Sequence, residues 1–234
     1  MKKVIWLIVF LLIAGGAYYG YQHYWPSQER VSFNPSQEAV VYLEGRRLDD
    51  RQPFLVVEGQ LLLVSDLAEE ETSAVFFWDQ EEETMVITTY DHVYRFQPER
   101  DFYTENGRPV DVGVPMQVMN NRVYLPMSFL EPLLSIDWQF REMDEVLVLD
   151  EQRLCRLWAE VITNSAVIRQ APNIKAPMYQ EPVAPGDRLL VYETYEHWLK
   201  VRTESGVIGY IHKKDVKRYE ECRPEQRPAS ESWM

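Results

Sequence analysis

The chain opens on one long apolar run and then breaks into short apolar stretches cut by turn residues. After Met1-Lys2-Lys3 comes VIWLIVFLLIAGGAYYGY, Val4 to Tyr21, eighteen residues without a charge. As a helix this run spans about 27 Å, close to the hydrocarbon thickness of a bilayer. Two lysines before it and none just after predict a cytoplasmic N-terminus and an exported remainder. Tyr18, Tyr19, Tyr21, Tyr24 and Trp25 would then form an interfacial aromatic belt. The pattern therefore predicts a transmembrane anchor over residues 1–25 and a single-pass cell-membrane protein with its bulk extracytoplasmic. The alternative is a signal peptide cleaved after Ala17, where Gly15 and Ala17 supply the small residues. No cysteine lies near residue 20, so lipid anchoring is not expected.

Downstream the hydrophobic pattern repeats itself. Gly45, Arg46, Leu48, Asp49 and Pro53 match Gly107, Arg108, Val110, Asp111 and Pro115, and Leu63 and Leu67 match Leu125 and Phe129, all 62 residues apart. Trp78 aligns with Trp138 and Val86 with Val146 at 60, which implies a two-residue loop deletion. Such self-similarity decides the architecture before any local propensity does. Glu58-Gly59-Gln60 and Asn120-Asn121-Arg122 separate β-rich runs, as hairpin turns do. Ser65 and Ser128 stand where short helices would start, with Pro132 in an early helical turn. Met85 to Thr89 and Glu145 to Leu149 read as closing strands. The prediction is an α+β domain with an internal repeat over residues 38–150.

Asn106-Gly107, Asn120-Asn121, Leu125-Pro126-Met127, Trp78-Asp79 and Trp138 resemble motifs of the copper amine oxidase N-terminal domain of Gram-positive surface proteins. In the first half Val64-Ser65 departs from the family's Pro-Leu, and Glu69, Glu70 and Glu71 crowd the helix. The resemblance implies a stalk or spacer, not copper chemistry. His23, His92, His197 and His212 include no pair at metal-ligand spacing, and no quinone-forming Asn-Tyr-Asp or Asn-Tyr-Glu is present. His92 is expected as an exposed strand residue. The acidic runs Glu69–Glu71 and Asp79–Glu83 are expected as solvated loops, because sequence proximity alone does not converge carboxylates on one ion. No carboxylate pair is singled out for glycoside hydrolysis.

A second pattern begins after residue 150. Proline-spaced segments lead to Gly186 and then to RLLVYET, HWLKVRT and VIGYIHK, three short strands separated by turns. Ala166 to Arg169, Gly186 to Tyr192, Trp198-Leu199-Lys200-Val201, Gly206 to Ile211 and Lys213 to Val216 follow in the order of the bacterial Src-homology-3 domain, which they resemble. The resemblance predicts a small all-β SH3-like barrel over 159–219 and implies binding of cell-wall peptide or a targeting role. Tyr192, Tyr195, Trp198 and Tyr210 are the candidate ligand-binding residues, since aromatic rings give rigid contact area at little entropic cost. Trp198 and Tyr210 have core and rim packing as their alternative role. Glu193 and Glu196 are candidates to receive a cationic amine.

Composition refines this picture. Between Val31 and Asp150 there are 24 acids against eight arginines and no lysine, whereas the rest is near balance and the whole chain carries −13. That contrast supports two folding units and disfavours nucleic acid as a partner. Cys155 and Cys222 flank the second module; they form either a disulfide or two free thiols. Residues 220–234 read as a polar tail of linker composition.

The expected function is a membrane-anchored binding or spacer protein that is not an enzyme, with no cofactor and no metal. Its partners are the membrane, through the N-terminal helix, and cell-wall peptide or a protein. The alternatives are the targeting part of a split or truncated family 18 glycoside hydrolase, or an envelope sensor. The acidic D-x-x-D-x-D-x-E motif of that hydrolase is absent from the sequence.

Overall fold

A computed structural model describes residues 2–36 and 38–222. Most of the predicted tail, residues 223–234, lies outside the described residues. The chain divides into two compact units. One joins Met1–Pro35 to Cys155–Met234 and is called the two-segment unit; the other is Ser36–Leu154, the repeat unit.

The first elements are helix α1 (Lys2–Tyr24) and strand β1 (Arg30–Val31). Among the described residues, no helix is long and apolar enough to cross a membrane. This overturns the predicted transmembrane helix and the single-pass localisation built on it. The physical reason lies in the dilution of the run. A span needs about 20 predominantly apolar residues, and Phe10 to Tyr21 already includes three glycines and three tyrosines. The end of α1 is tied into its own unit. The Lys175 ammonium donates to the carbonyl of Tyr21 at 3.3 Å and to that of Trp25. A cation beside the last carbonyls of a helix complements its negative end.

The repeat unit holds β2 (Val40–Leu43), β3 (Arg46–Leu48), β4 (Phe54–Val57), β5 (Gln60–Val64), α2 (Ser65–Glu70), β6 (Val75–Asp79), β7 (Thr84–Thr88) and β8 (Val93–Phe96). It continues with β9 (Phe102–Glu105), β10 (Arg108–Asp111), β11 (Gln117–Met119), β12 (Arg122–Pro126), α3 (Met127–Leu134), β13 (Ile136–Arg141) and β14 (Val146–Glu151). The unit is mostly β, which corrects the α+β expectation. Its two helices have only six and eight residues and follow their strands without a loop. Val64 and Pro126 occupy the N-cap positions and make no side-chain cap; α2 begins at Ser65 as expected, and Ser128 is the second residue of α3.

Backbone geometry shows the repeat directly. Glu44-Gly45 (φ 48° and 75°) answers Asn106-Gly107 (48° and 84°), and Glu58-Gly59 (51° and 77°) answers Asn120-Asn121 (52° and 62°). Two consecutive positive φ values are what two-residue hairpins with right-handed strand twist require. The last hairpins keep the same offset. Trp78 faces Met85 and Phe140 faces Leu147, so the structural counterpart of Trp78 is Phe140 and that of Trp138 is Phe76. The matching of Trp78 with Trp138, and the deletion it implied, are therefore corrected. Trp78 and Phe140 both pack against the core; the resemblance between the tryptophans is in letter only.

The halves meet where β12 pairs with β5, Leu125 opposite Leu63. These are equivalent residues, so a pseudo-two-fold axis passes between them. Around it the halves exchange strands. One sheet has the order β13-β14-β2-β3, the first hairpin of one half with the last hairpin of the other. The reciprocal sheet is β10-β9-β8-β7-β6, in which β8 is the extra strand. Phe96 at the end of β8 packs on Phe129 of α3, with ring centroids 4.7 Å apart. The strands nearest the axis bury both faces, Leu61–Val64 and Val123–Pro126, which explains their unbroken apolar runs.

An ion pair spans the halves. Arg122 donates through Nη1 and Nη2 to the two Asp50 oxygens at 2.7 and 2.6 Å, and through Nη1 to the Gln52 carbonyl at 3.3 Å. Those hydrogen bonds outweigh burial and hold the Asp50 carboxyl below its usual range.

The two-segment unit adds β15 (Cys155–Val161), β16 (Met178–Tyr179), β17 (Arg188–Thr194), β18 (Trp198–Arg202), β19 (Ile208–His212) and β20 (Val216–Cys222). Its antiparallel sheet has the order β19-β18-β17-β15-β20 around a core of Ala159, Val161, Ile168, Leu189, Leu199, Val201 and Ile211. Strand β1 pairs in parallel with β16, so the segment before the repeat unit joins the segment after it. Cys155 and Cys222 face each other at the end of the β15–β20 ladder and are joined by a disulfide.

Two predictions follow from these contacts. Asp50→Asn leaves Arg122 partly buried without its carboxylate and lowers the stability of the repeat unit by about 1–3 kcal/mol. The folded pKa of Asp50 lies below the unfolded value of about 3.9. Its contribution is therefore complete above pH of about 4 and is lost as pH falls through the folded value. Urea unfolding of parent and variant at pH 7 and pH 3 checks both points: the gap should narrow in acid, and an equal gap at both pH values contradicts the assignment. Replacing Cys155 and Cys222 together with serine opens a loop whose ends are 67 residues apart. In the chain-entropy description this costs about 4 kcal/mol, read as a lower melting temperature. A variant that melts with the parent means that the bridge contributes nothing.

Candidate functional site

The outward face of β18 and β19 follows from strand alternation. Leu199 and Val201 point into the core, as do Gly209 and Ile211, so Trp198 and Lys200 share the other face with Tyr210 and His212. Across the strands Lys200 stands opposite Tyr210 and Trp198 opposite His212. Tyr195 folds over this face, its ring centroid 5.6 Å from that of Tyr210. Trp198 meets His212 edge-on at 5.2 Å, and His212 stacks with His197 at 6.2 Å. The structure thus brings Tyr195, Trp198 and Tyr210 together. Tyr192 does not join the row: it occupies the register shift between Val191 and Glu193 and is half-buried there.

The acid beside this face is already engaged. Glu193 accepts from Lys200 Nζ at 2.8 Å and from the Tyr195 hydroxyl at 2.6 Å. These bonds, the lysine's first, hold the Glu193 carboxyl below its usual value. The carboxylate in turn raises the Tyr195 phenol. Glu193 is therefore an anchor for Tyr195 rather than a free receptor for an amine. Glu196 lies 3.5 Å from His197.

A groove of about 360 Å³ opens at the Trp198–His212 end of the row. Arg30, Arg169, Met178 and Lys214 line it together with those two rings. Arg169 is only 6% exposed. Its backbone exchanges two 2.8 Å hydrogen bonds with Tyr210, N–H to carbonyl in each direction. Its Nη1 donates to the carbonyls of Ser27 at 3.2 Å and Ala176 at 2.6 Å. Burial pushes the guanidinium down from its ordinary value. His212 is also pushed down, by burial first and then by Lys214, against the pull of Asp215. Its Nδ1 accepts the Lys214 backbone N–H at 3.2 Å, which leaves the ring N–H on Nε2.

Sequence reasoning noted Arg169 only as part of a motif and passed over residues 26–31 as groove residues. A lone arginine next to Val167 and Ile168 is the one local signal it offered. The partners that bury it are carbonyls far along the chain, which side-chain patterning does not report.

The other candidates resolve into local structure. His92 lies 2.8 Å from Asp91 and 3.4 Å from Glu105, and stacks on Tyr94 at 5.8 Å. Within the acidic runs, Glu71 pairs with Arg46 at 3.2 Å, and Asp79 Oδ1 accepts the N–H groups of Glu81 and Glu82. Among the described residues, the one group close enough to share a metal ion is Cys155, Glu220 and Cys222. Its sulfurs are joined to each other, and a metal-ligating cysteine must be a thiolate.

With this geometry in place, comparison adds the class of the repeat unit. Residues 42–148 match the copper amine oxidase N-terminal domain. The repeat unit contains such a domain, which is a non-catalytic part of that family. No curated protein matches the chain.

Gly209 sets the close approach on which the groove depends. A Cβ at this position would lie 2.5 Å from Ile168 Cγ2, 2.7 Å from the Arg169 carbonyl oxygen and 2.8 Å from Tyr179 Cε2. Backbone cannot yield as a flexible side chain does, so Gly209→Ala should destabilise the unit by about 1–3 kcal/mol. Amide exchange at Arg169 and Tyr210 should accelerate with it. Unchanged exchange at both positions contradicts this role.

Proposed function

We propose that the chain is a non-catalytic binding protein whose two-segment unit, an SH3-like barrel, holds an extended peptide of the bacterial cell wall. The copper amine oxidase N-terminal domain serves beside it as a spacer. One observation carries the reading: two ring pairs, Tyr195 with Tyr210 and Trp198 with His212, share the outward face of adjacent strands. Rigid rings of this kind supply contact area for a peptide at low entropic cost, while neighbouring polar groups set its direction. The order of motifs from Ala166 to Val216 supports the barrel assignment by its resemblance to bacterial Src-homology-3 domains. The salt-bridged Glu193–Lys200 pair supports the row by fixing the Tyr195 ring through its hydroxyl.

Sedimentation of the full chain with purified peptidoglycan tests the proposal. Tyr195→Ala, which removes a ring 37% exposed, should weaken binding about 30-fold, the size of a 2 kcal/mol hot spot. Trp198→Ala should do the same, with circular dichroism confirming that it folds. If both folded variants sediment as the parent does, the aromatic row is not the binding surface.

A further inference from the structure

We infer that the groove beside Trp198 receives the free carboxylate at the end of a short peptide, with Arg169 as the buried cation. The inference rests on the peptide-binding reading above and specifies which end of the peptide is held.

A guanidinium largely withdrawn from water is stabilised by an opposite charge or a full set of acceptors. Arg169 has two acceptors, the carbonyls of Ser27 and Ala176, and both use Nη1. Among the described residues no carboxylate lies within 4 Å of it, whereas Arg122 has Asp50 at 2.6 Å. The carbonyls orient the guanidinium and leave its charge uncompensated. Nε and Nη2 remain as the planar pair of donors that matches a carboxylate.

The surroundings fit the same ligand. Arg30 and Lys214 add two exposed cations at the rim. The one acid in the lining, Asp215, is itself buried and accepts from the Thr163 hydroxyl at 3.0 Å. Trp198, Met178 and Ile174 provide apolar wall for the terminal side chain. At about 360 Å³ the groove is at the small end of ligand sites, the size for a chain end rather than a long segment. It opens at one end of the aromatic row through the shared residues Trp198 and His212, so a peptide lying on the row ends there.

The test titrates the full chain calorimetrically with N-acetyl-alanyl-alanine and with the same peptide as its C-terminal amide. The free acid should bind at least tenfold more tightly, and the preference should shrink as salt is raised. Arg169→Gln should abolish the preference and Arg169→Lys should restore part of it. Because Arg169 also braces Ser27 and Ala176, the rim variant carrying Arg30→Gln and Lys214→Gln gives an independent reading: the preference should fall at least threefold. Equal affinity for acid and amide, binding of neither, an undiminished preference in the rim variant, or a preference that survives in folded Arg169→Gln overturns the inference. These failures are distinct from failure of the peptide-binding reading, which the Tyr195→Ala sedimentation measures on its own.

Discussion

The antiparallel contact of Leu63 with Leu125 is the constraint around which the repeat unit is built. Both leucines are essentially inaccessible to water, and so are their strand neighbours Leu62, Val64 and Tyr124. A strand buried on both faces has no solvent-compatible side, so neither half can stand alone on its own β5 or β12. The exchange of hairpins around the axis deepens the dependence. The first hairpin of one half completes the sheet of the other. A 62-residue half would expose both the strand edge and the apolar face that its partner covers. The two halves thereby depend on each other to cover their strands. Ion pairs such as Arg46–Glu71 and the bridging Arg122–Asp50 engage some of the unit's charges.

The two-segment unit depends on a different approach, that of backbone to backbone at Gly209. Only there can the Ile168–Arg169 segment pass close enough to exchange hydrogen bonds with Tyr210. The same crossing draws Arg169 inward, where carbonyls from residues 27 and 176 fix it. Structure and candidate function thus share an origin. The contact that closes the sheet also places a cation in a groove and sets Tyr210 and His212 on the outer surface. The disulfide at the far end of β15 and β20 ties the last strand to the first strand of the second segment.

Much of this was legible along the chain. Hairpin turns announced themselves by Asn-Gly and Glu-Gly pairs, because few residues tolerate positive φ. The repeat offset emerged from apolar and glycine positions, and the aromatic row from three short strands. Two readings failed for a common reason. The N-terminal run was judged by its lack of charge, although glycine and tyrosine dilute its apolarity. Trp78 was matched to Trp138 by letter, although strand register pairs it with Phe140. Residue identity is a weaker guide than the position a residue occupies in its ladder.

By itself, the sequence determined where the chain turns, which face of each strand is apolar, and that the stretch from 38 to 150 is built twice. These are local properties, set by backbone sterics and by a period of two residues. Only the tertiary structure decided that the halves trade hairpins, that β8 enters one sheet and not the other, and that residues 26–31 join strands more than 140 positions away. It alone decided that Arg169 is buried without an acid. The physical reason is that alternation records that a side chain leaves water, but not which distant backbone or side chain receives it.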